Sequence, residues 1–388
     1  SSGRTDREQS EMFNRNFTPP ALTILAVEEP ENHLAPHLLG RVMQTLHSIA
    51  DKPNAQVVVT SHTPAIVKRI DPKCIRHLRI CKTTLCTIAN SIRLPTEDDE
   101  AYKYVKEAVW AYPEIYFASL VVLGEGDTEE IIIPRALELL NTTLDASGIS
   151  VVPLGGRYVN HFWKLLTELD IPYVTLLDLD LGRETGGWAR IKYVMKELVQ
   201  RGTDLESLLH ALNEAWQEHH ISMTLRPDDI ETLHSREDER KAIEALLGAF
   251  TNWHVFFAAP LDMDFMMLRA FTQAYKASAE QGYGPRIPSK DNQAKLKERV
   301  KSSVRATLKT EEPNYTLYTN EEQLLMTWYG YLFLNRSKPG THLLALSRIG
   351  DKDLGKQLPQ PLMKLIERVR RLLEDDPAAE MDSTGTGQ

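Results

Sequence analysis

The sequence predicts an α/β protein: a parallel sheet flanked by helices, carrying a helical insertion and preceded by part of a second α/β unit. Three observations predict it. Short apolar runs recur at 23–27, 56–60, 120–123, 149–153, 173–177 and 254–259. Helix-patterned segments separate them, and strand–helix–strand order with short connections gives right-handed crossovers and parallel pairing. Acidic residues stand just past several of the runs, where ligands of such sheets bind.

The elements follow in order. Residues 1–20 read as a disordered lead-in. Thr23–Val27 and Gln56–Thr60 read as buried strands, joined by a helix over 36–50 that begins near Pro36, a residue tolerated in a first turn. Residues 74–94 alternate polar and apolar types, as a hairpin does. The second α/β pattern runs from a strand at Leu120–Leu123 through a helix at 128–141 and a strand at Ile149–Pro153. A helix at 158–169 and a strand at Tyr173–Leu177 follow. Residues 187–250, rich in Leu, Glu, Lys, Ala and Arg, read as helices inserted before the strand His254–Ala259. Helices are expected at 265–280, 321–335 and 361–374, and the tail from Pro377 is small and polar. The domain reading is 1–95 for the first unit and 115–186 with 251–350 for the main core. Residues 187–250 form the insertion, and 351–388 a closing helix and tail.

Composition narrows the function. Charged residues make up 26% and hydrophobic ones 42% of 388, enough apolar content for a sizeable core. No run approaches the ~18 apolar residues of a membrane span, and the polar first 20 residues lack a secretory apolar stretch. Cys74, Cys81 and Cys86 match no zinc spacing, which fits a reducing cytoplasm. The net charge of −9 argues against coating nucleic acid through a broad basic face. It leaves room for an enzyme acting on DNA, because carboxylates that bind metal add negative charge and the cations restore positive charge at the phosphate.

The first constellation is Ile24–Leu34, an apolar strand running into Glu28, Glu29 and Pro30. In a nucleotide-hydrolysing sheet, Glu28 would hold magnesium through water and Glu29 would polarise the attacking water. About 30 residues on, the strand 57–59 ends in Thr60-Ser61-His62, where a histidine can reach a terminal phosphate. The pair resembles the Walker B, D-loop and switch-histidine segments of ABC-type ATPases. The phosphate-cradling Gly-x-x-x-x-Gly-Lys-Ser/Thr loop occurs nowhere in the chain, so this half-site is expected not to bind ATP alone.

The second constellation is acidic. Leu120–Leu123 leads into Gly124-Glu125-Gly126-Asp127-Thr128-Glu129-Glu130. The glycines allow a sharp turn, and Glu129, four residues after Glu125, can face the same way. A capping box of Asp127 with Glu130 is the stability reading of the same residues. The third strand ends in Asp178-Leu179-Asp180, where alternation points both aspartates to one side. Like charges crowded at a strand end are hard to explain by stability, and oxygen donors of this kind suit magnesium or manganese. Asp262 and Asp264 repeat the pattern after the fourth strand, although Asp264 could instead cap the helix that follows.

These residues resemble the Toprim domain of topoisomerases, primases and some nucleases: Glu125 matches its glutamate and Asp178-Leu179-Asp180 its Asp-x-Asp. Downstream of ABC-type segments, the chain is similar to the OLD (overcoming lysogenization defect) family of nucleases over roughly residues 20–350. The resemblance implies a DNA nuclease in which Glu125, Glu129, Asp178, Asp180, Asp262 and Asp264 share two divalent cations, Mg2+ or Mn2+, able to clamp the attacking and leaving oxygens of a phosphodiester. It implies a late lysine that steadies the transition state, best matched by Lys338, with Glu125 as its acidic catalytic partner. Lys338 also fits a surface lysine before a turn. Arg336 and Arg157, the latter in Gly155-Gly156-Arg157, are candidate contacts to DNA phosphate. ATP binding and a homodimer are implied for the full-length protein only. His161, His219, His220 and His234 show no metal spacing. Two rivals stay open: a Toprim topoisomerase or primase, for which no tyrosine or zinc surround is recognisable, and a non-cleaving regulatory or dimerisation module of an SMC-like ATPase.

Overall fold

The computed structural model describes residues 20–32, 34–80, 84–91, 110–139, 142–154, 159–277, 283–288 and 292–374. The chain divides into two compact units, at Ser1–Ile75 and Arg76–Gln388.

In the first unit, β1 (Thr23–Glu28) pairs in parallel with β2 (Ala55–Thr60), and Glu28 lies opposite Thr60. Helix α1 (Pro36–Ala50) starts with proline in its first turn, as expected. Its Leu39, Met43 and Leu46 join Ile66 of the short helix α2 (Pro64–Val67) in a core against Leu25, Val27, Val57 and Val59. The sequence suggested fully buried strands. Only alternate residues are covered, and Ile24 and Val58 on the other face are 60% and 47% exposed. Period-2 alternation is what a sheet packed on one side shows.

The second unit opens with the antiparallel hairpin β3 (Arg76–Ile80) and β4 (Thr87–Ser91). Its main sheet has the order β6-β5-β7-β8, parallel throughout, from β5 (Leu120–Gly124), β6 (Ile149–Pro153), β7 (Tyr173–Asp178) and β8 (Val255–Ala258). This is the parallel sheet flanked by helices that the sequence predicts. β5 and β8 are buried along their whole length, which is why they read as unbroken apolar runs. The chain leaves β5 for β6 on one side and reaches β7 on the other, so the switch point lies between β5 and β7, where ligands of such sheets sit.

Helix α3 (Asp127–Glu138) follows β5 and α4 (Val159–Glu168) follows β6. Trp163 of α4 donates Nε1–H to Thr175 Oγ1 of β7 at 2.7 Å, satisfying two polar groups inside the core. The stretch after β7 is helical, as expected, with α5 (Trp188–Gln200), α6 (Leu205–Glu218) and α7 (Arg240–Leu247). It has its own core: Trp188 and Trp216 meet edge to face at 6.2 Å, and Trp216 donates to Ala242 O. After β8 come α8 (Met263–Ala270), α9 (Gln293–Leu308), α10 (Asn320–Tyr329), which runs into a π turn at Gly330–Leu334, and α11 (Lys338–Leu346). The amphipathic α12 (Gln360–Glu374) lies over β5, β7 and β8 and buries Leu362, Leu365, Ile366 and Val369. Among the described residues, no helix is long and apolar enough to cross a membrane.

The Trp163–Thr175 pair gives a stability test. Thr175→Val keeps shape but strands a buried indole N–H, and should lower stability by ~1–3 kcal/mol, read as a reduced urea midpoint. An unchanged midpoint would show that the bond adds nothing.

Candidate functional site

The carboxyl ends of β5, β7 and β8 deliver Glu125, Asp178 and Asp262 to one cleft of about 600 Å³, lined also by Glu129, Asp264, Thr128, Lys309 and Lys338. Each of four acids is fixed by a backbone amide. Asp178 N donates to Glu125 Oε1 at 3.0 Å, and Gly126 N to Glu129 Oε2 at 3.0 Å. Met263 N donates to Asp178 Oδ1 at 3.1 Å, and Phe265 N to Asp262 Oδ1 at 2.9 Å. Neighbouring elements therefore hold one another's carboxylates.

The local sequence explains these positions. Gly124 is required because a Cβ there would stand 2.4 Å from Glu129 Cγ, so only glycine lets Glu129 fold back over the strand end. Helix α3 starts at Asp127, one residue earlier than expected, and Glu129 rather than Glu130 caps its entry. After β8 it is Asp262 that caps α8, not Asp264, which lies inside the first turn. β7 ends at Asp178, and Asp180 has φ of 53°, so strand alternation does not carry through the Asp-Leu-Asp segment. A Cβ on Gly186 would meet Asp180 O at 1.8 Å, so this turn needs glycine opposite it.

Three cations that serve these acids come from different elements. Arg190, in the first turn of α5, sets its fork on Glu125, Nη1 to Oε1 at 3.2 Å and Nη2 to Oε2 at 3.4 Å, and reaches Asp180 Oδ2 at 3.3 Å. Arg183 bonds Asp180, lies 3.3 Å from Asp262 Oδ2 and donates to Tyr329 Oη and Thr307 O. Tyr329 Oη also donates to Asp262 Oδ2, at 2.6 Å. Asp180 is thus held between two guanidinium groups and does not line the cleft. Lys338 Nζ stands 2.6 Å from Asp264 Oδ2. The other oxygen of Asp264 accepts from Thr128 Oγ1 at 2.8 Å and meets Nε2 of the fully buried His342 at 2.9 Å. His342 Nδ1 is 2.6 Å from Tyr275 Oη.

Electrostatics separate these acids. Burial, with Asp180 and Asp262 nearby, outweighs Arg190 and pushes Glu125 up to about 7. Burial, then Asp264 and Glu125, pushes Glu129 up to about 8. Asp178 is raised well above the usual range by burial and by Glu125 and Asp262. Asp262 is raised by burial and Asp264, despite Arg183. Asp264 goes the other way: burial pushes it up, but the His342 and Lys338 contacts prevail and hold it at about 2. Burial pulls Lys338 down and Asp264 overrides it, so the ammonium is held above the ordinary lysine range.

The donor set fits a hard divalent cation. All the donors are carboxylate oxygens, pre-positioned by backbone amides, and their mutual repulsion is what such a cation relieves. Among the described residues, no three His, Cys, Asp or Glu side chains already converge as around a bound ion. Glu125, Glu129, Asp178, Asp262 and Asp264 face the cleft with Lys338. Arg336 stacks on Tyr331 at 4.2 Å and does not line the cleft, and Arg157 lies outside the described residues. In the first unit, Glu29 (φ 42°) brings Oε1 within 3.3 Å of His62 Nδ1, and Asn32 donates to its Oε2. Glu28 ends β1 and is exposed. Ser61 donates to Glu31 Oε1 at 2.7 Å, a second tie between the two motifs.

Sequence reasoning did not single out Arg183, Arg190, Lys309, Tyr329 or His342. His342 did carry a signal: it falls four residues after Lys338, on the same helical face.

Comparison with known proteins agrees with both motif sets. The model for the overcoming lysogenization defect protein-like Toprim domain matches residues 116–180, and that for an AAA domain (putative AbiEii toxin, type IV TA system) matches 17–68. Endonuclease GajA of Bacillus cereus (strain VD045) is 25% identical over 166 residues, 42% of this chain and 28% of that protein. An OLD nuclease of Thermus scotoductus (strain ATCC 700910 / SA-01) is 26% identical over 160 residues, 40% of this chain and 30% of that protein. The alignments thus span under a third of these relatives. The solved C-terminal region of the Burkholderia pseudomallei OLD protein aligns at 21% identity, covering 66% of this chain and 99% of that one, with a TM-score of 0.38.

The raised carboxyls set a pH dependence. Glu125 and Glu129 move from 4.5 up to about 7 and 8, so the folded state binds their protons more tightly than the unfolded chain. Their contribution favours folding at low pH and is lost as pH climbs through that window. With chelator present, the unfolding temperature should fall between pH 5 and 8, and Glu125→Gln with Glu129→Gln should flatten that fall. An equally steep fall in the double variant would contradict the assignment.

Proposed function

Because residues 116–180 match the OLD-like Toprim model and residues 17–68 an AAA-domain model, we propose that this chain is the catalytic part of a metal-dependent DNA nuclease of the OLD family. The observation that carries the reading is the set of amide-anchored carboxylates facing one cleft with Lys338 at its wall. Glu125, Glu129, Asp178, Asp180, Asp262 and Asp264 are the candidates for sharing two cations, Mg2+ or Mn2+. Five of them line the cleft, and Asp180 would join by exchanging an arginine partner. When bound, the cations supply a water of lowered pKa as nucleophile and offset charge on the leaving oxygen.

The chain's own residues do the rest. The backbone amides of Gly126, Asp178, Met263 and Phe265 keep the donors from collapsing or rotating, so little reorganisation is needed when substrate arrives. Asp264 keeps Lys338 charged, and the ammonium can follow the phosphate as its negative charge builds. Thr128 and His342 hold Asp264 in turn. In the whole protein the same reading couples cleavage to an ATPase, to which the first unit would contribute Glu28, Glu29 and His62, within a homodimer.

The test is cleavage of supercoiled plasmid with Mg2+ or Mn2+. We expect metal-dependent nicked or linear product, abolished by Glu125→Gln and by Asp178→Asn. Lys338→Met should slow it about 10²–10³-fold, the usual cost of one transition-state contact. Cleavage that persists in both carboxylate variants, or that needs no metal, would overturn the assignment. So would failure of any divalent ion to bind or support cleavage.

A further inference from the structure

Helix α9 stands apart from the rest of this acidic chain. It carries five basic residues, Lys295, Lys297, Arg299, Lys301 and Arg305, against the single acid Glu298. Each helical residue turns by about 100°. Val304, Thr307 and Leu308 therefore fall on the buried side, and Lys295, Arg299, Ser302, Arg305 and Ala306 on the opposite, exposed side. Among the described residues, no carboxylate pairs with Lys295, Arg299 or Arg305. The helix ends at Lys309, which adopts the left-handed conformation (φ 56°) and lines the acidic cleft. The stripe thus runs to the cleft's wall.

We propose that the exposed stripe Lys295–Arg299–Arg305, continued by Lys309, is the track along which one strand of duplex DNA enters the cleft. The inference rests on the nuclease reading above and adds the surface that recognises the substrate. A chain of net charge −9 with an anionic cleft repels a phosphodiester backbone at a distance. It therefore needs a local cationic approach. At ~1.5 Å per residue, Lys295 to Lys309 covers ~20 Å, about six base steps at ~3.4 Å each, so cations set ~6–9 Å apart can meet every second or third phosphate of one strand. An unpaired basic face of this kind fits a polyanion. Its continuity with the cleft distinguishes a substrate track from a merely solvated helix.

The experiment is binding of fluorescein-labelled duplex DNA to the full chain by anisotropy, with Ca2+ as divalent ion, over a salt series. The variant Lys295→Gln/Arg299→Gln/Arg305→Gln is compared with the charge-matched control Lys352→Gln/Lys356→Gln/Lys364→Gln, and circular dichroism confirms that both fold. The proposal expects the stripe variant to bind at least about tenfold more weakly, with a salt slope shallower by nearly 3, while the control changes little. Equal loss in the two variants would reduce the effect to net charge and overturn the track. Unchanged binding by the stripe variant would overturn it too, leaving the nuclease reading standing. A wild-type chain that fails to bind DNA at any salt would overturn both.

Discussion

Glu125, Glu129, Asp178, Asp262 and Asp264 repel one another across a cleft walled by protein, and much of the second unit is arranged around that repulsion. Burial makes each negative charge expensive, and proximity makes each one worse for its neighbours. The fold answers in two ways. Backbone amides hold four of the acids in place, and Arg183, Arg190 and Lys338 divide the charge among them. Glu129 and Asp178 have no such cation among the described residues, and burial pushes both up, Glu129 to about 8 and Asp178 well above the usual carboxylate range. These two mark where a further positive charge has most to gain.

The helical stretch after β7 serves the same end. Asp238 accepts from Gly182 N and Trp188 N, so it clasps the loop that presents Arg183 and the first turn of α5, which carries Arg190. Tyr318 donates to Leu181 O, and Tyr329 donates to Asp262 while accepting from Arg183. Residues distant in sequence thereby fix two guanidinium groups. Helices that looked like an appendage in the sequence are the support on which the counter-charges stand.

Most of the sheet was legible because buried parallel strands leave unbroken apolar runs, and because acids past such runs have few structural excuses. The six carboxylates were therefore visible as a set, and Lys338 through its resemblance to a family pattern. The details that escaped share a physical cause. Whether Asp178 and Asp180 point together depends on where β7 stops, and the positive φ at Asp180 follows from the close approach of Gly186, not from alternation. Arg183 and Arg190 look like ordinary surface residues until the tertiary fold buries them. The basic face of α9 was masked by an overall negative charge, an average that says nothing of where charges lie. In the first unit, parallel pairing was legible, but one-sided burial was hidden because both faces of β1 and β2 carry apolar residues.

Main-chain anchoring of the acids has a practical corollary. An amide side chain keeps the acceptor oxygen that a carboxylate offers to a backbone N–H, so Asp178→Asn or Glu125→Gln preserves that tether while discarding a negative charge. Such proteins should be faithful casts of the working cleft with a weaker field against polyanions. On the nuclease reading proposed above they would hold an uncut duplex long enough to be visualised, which makes them the natural starting material for capturing a complex with DNA.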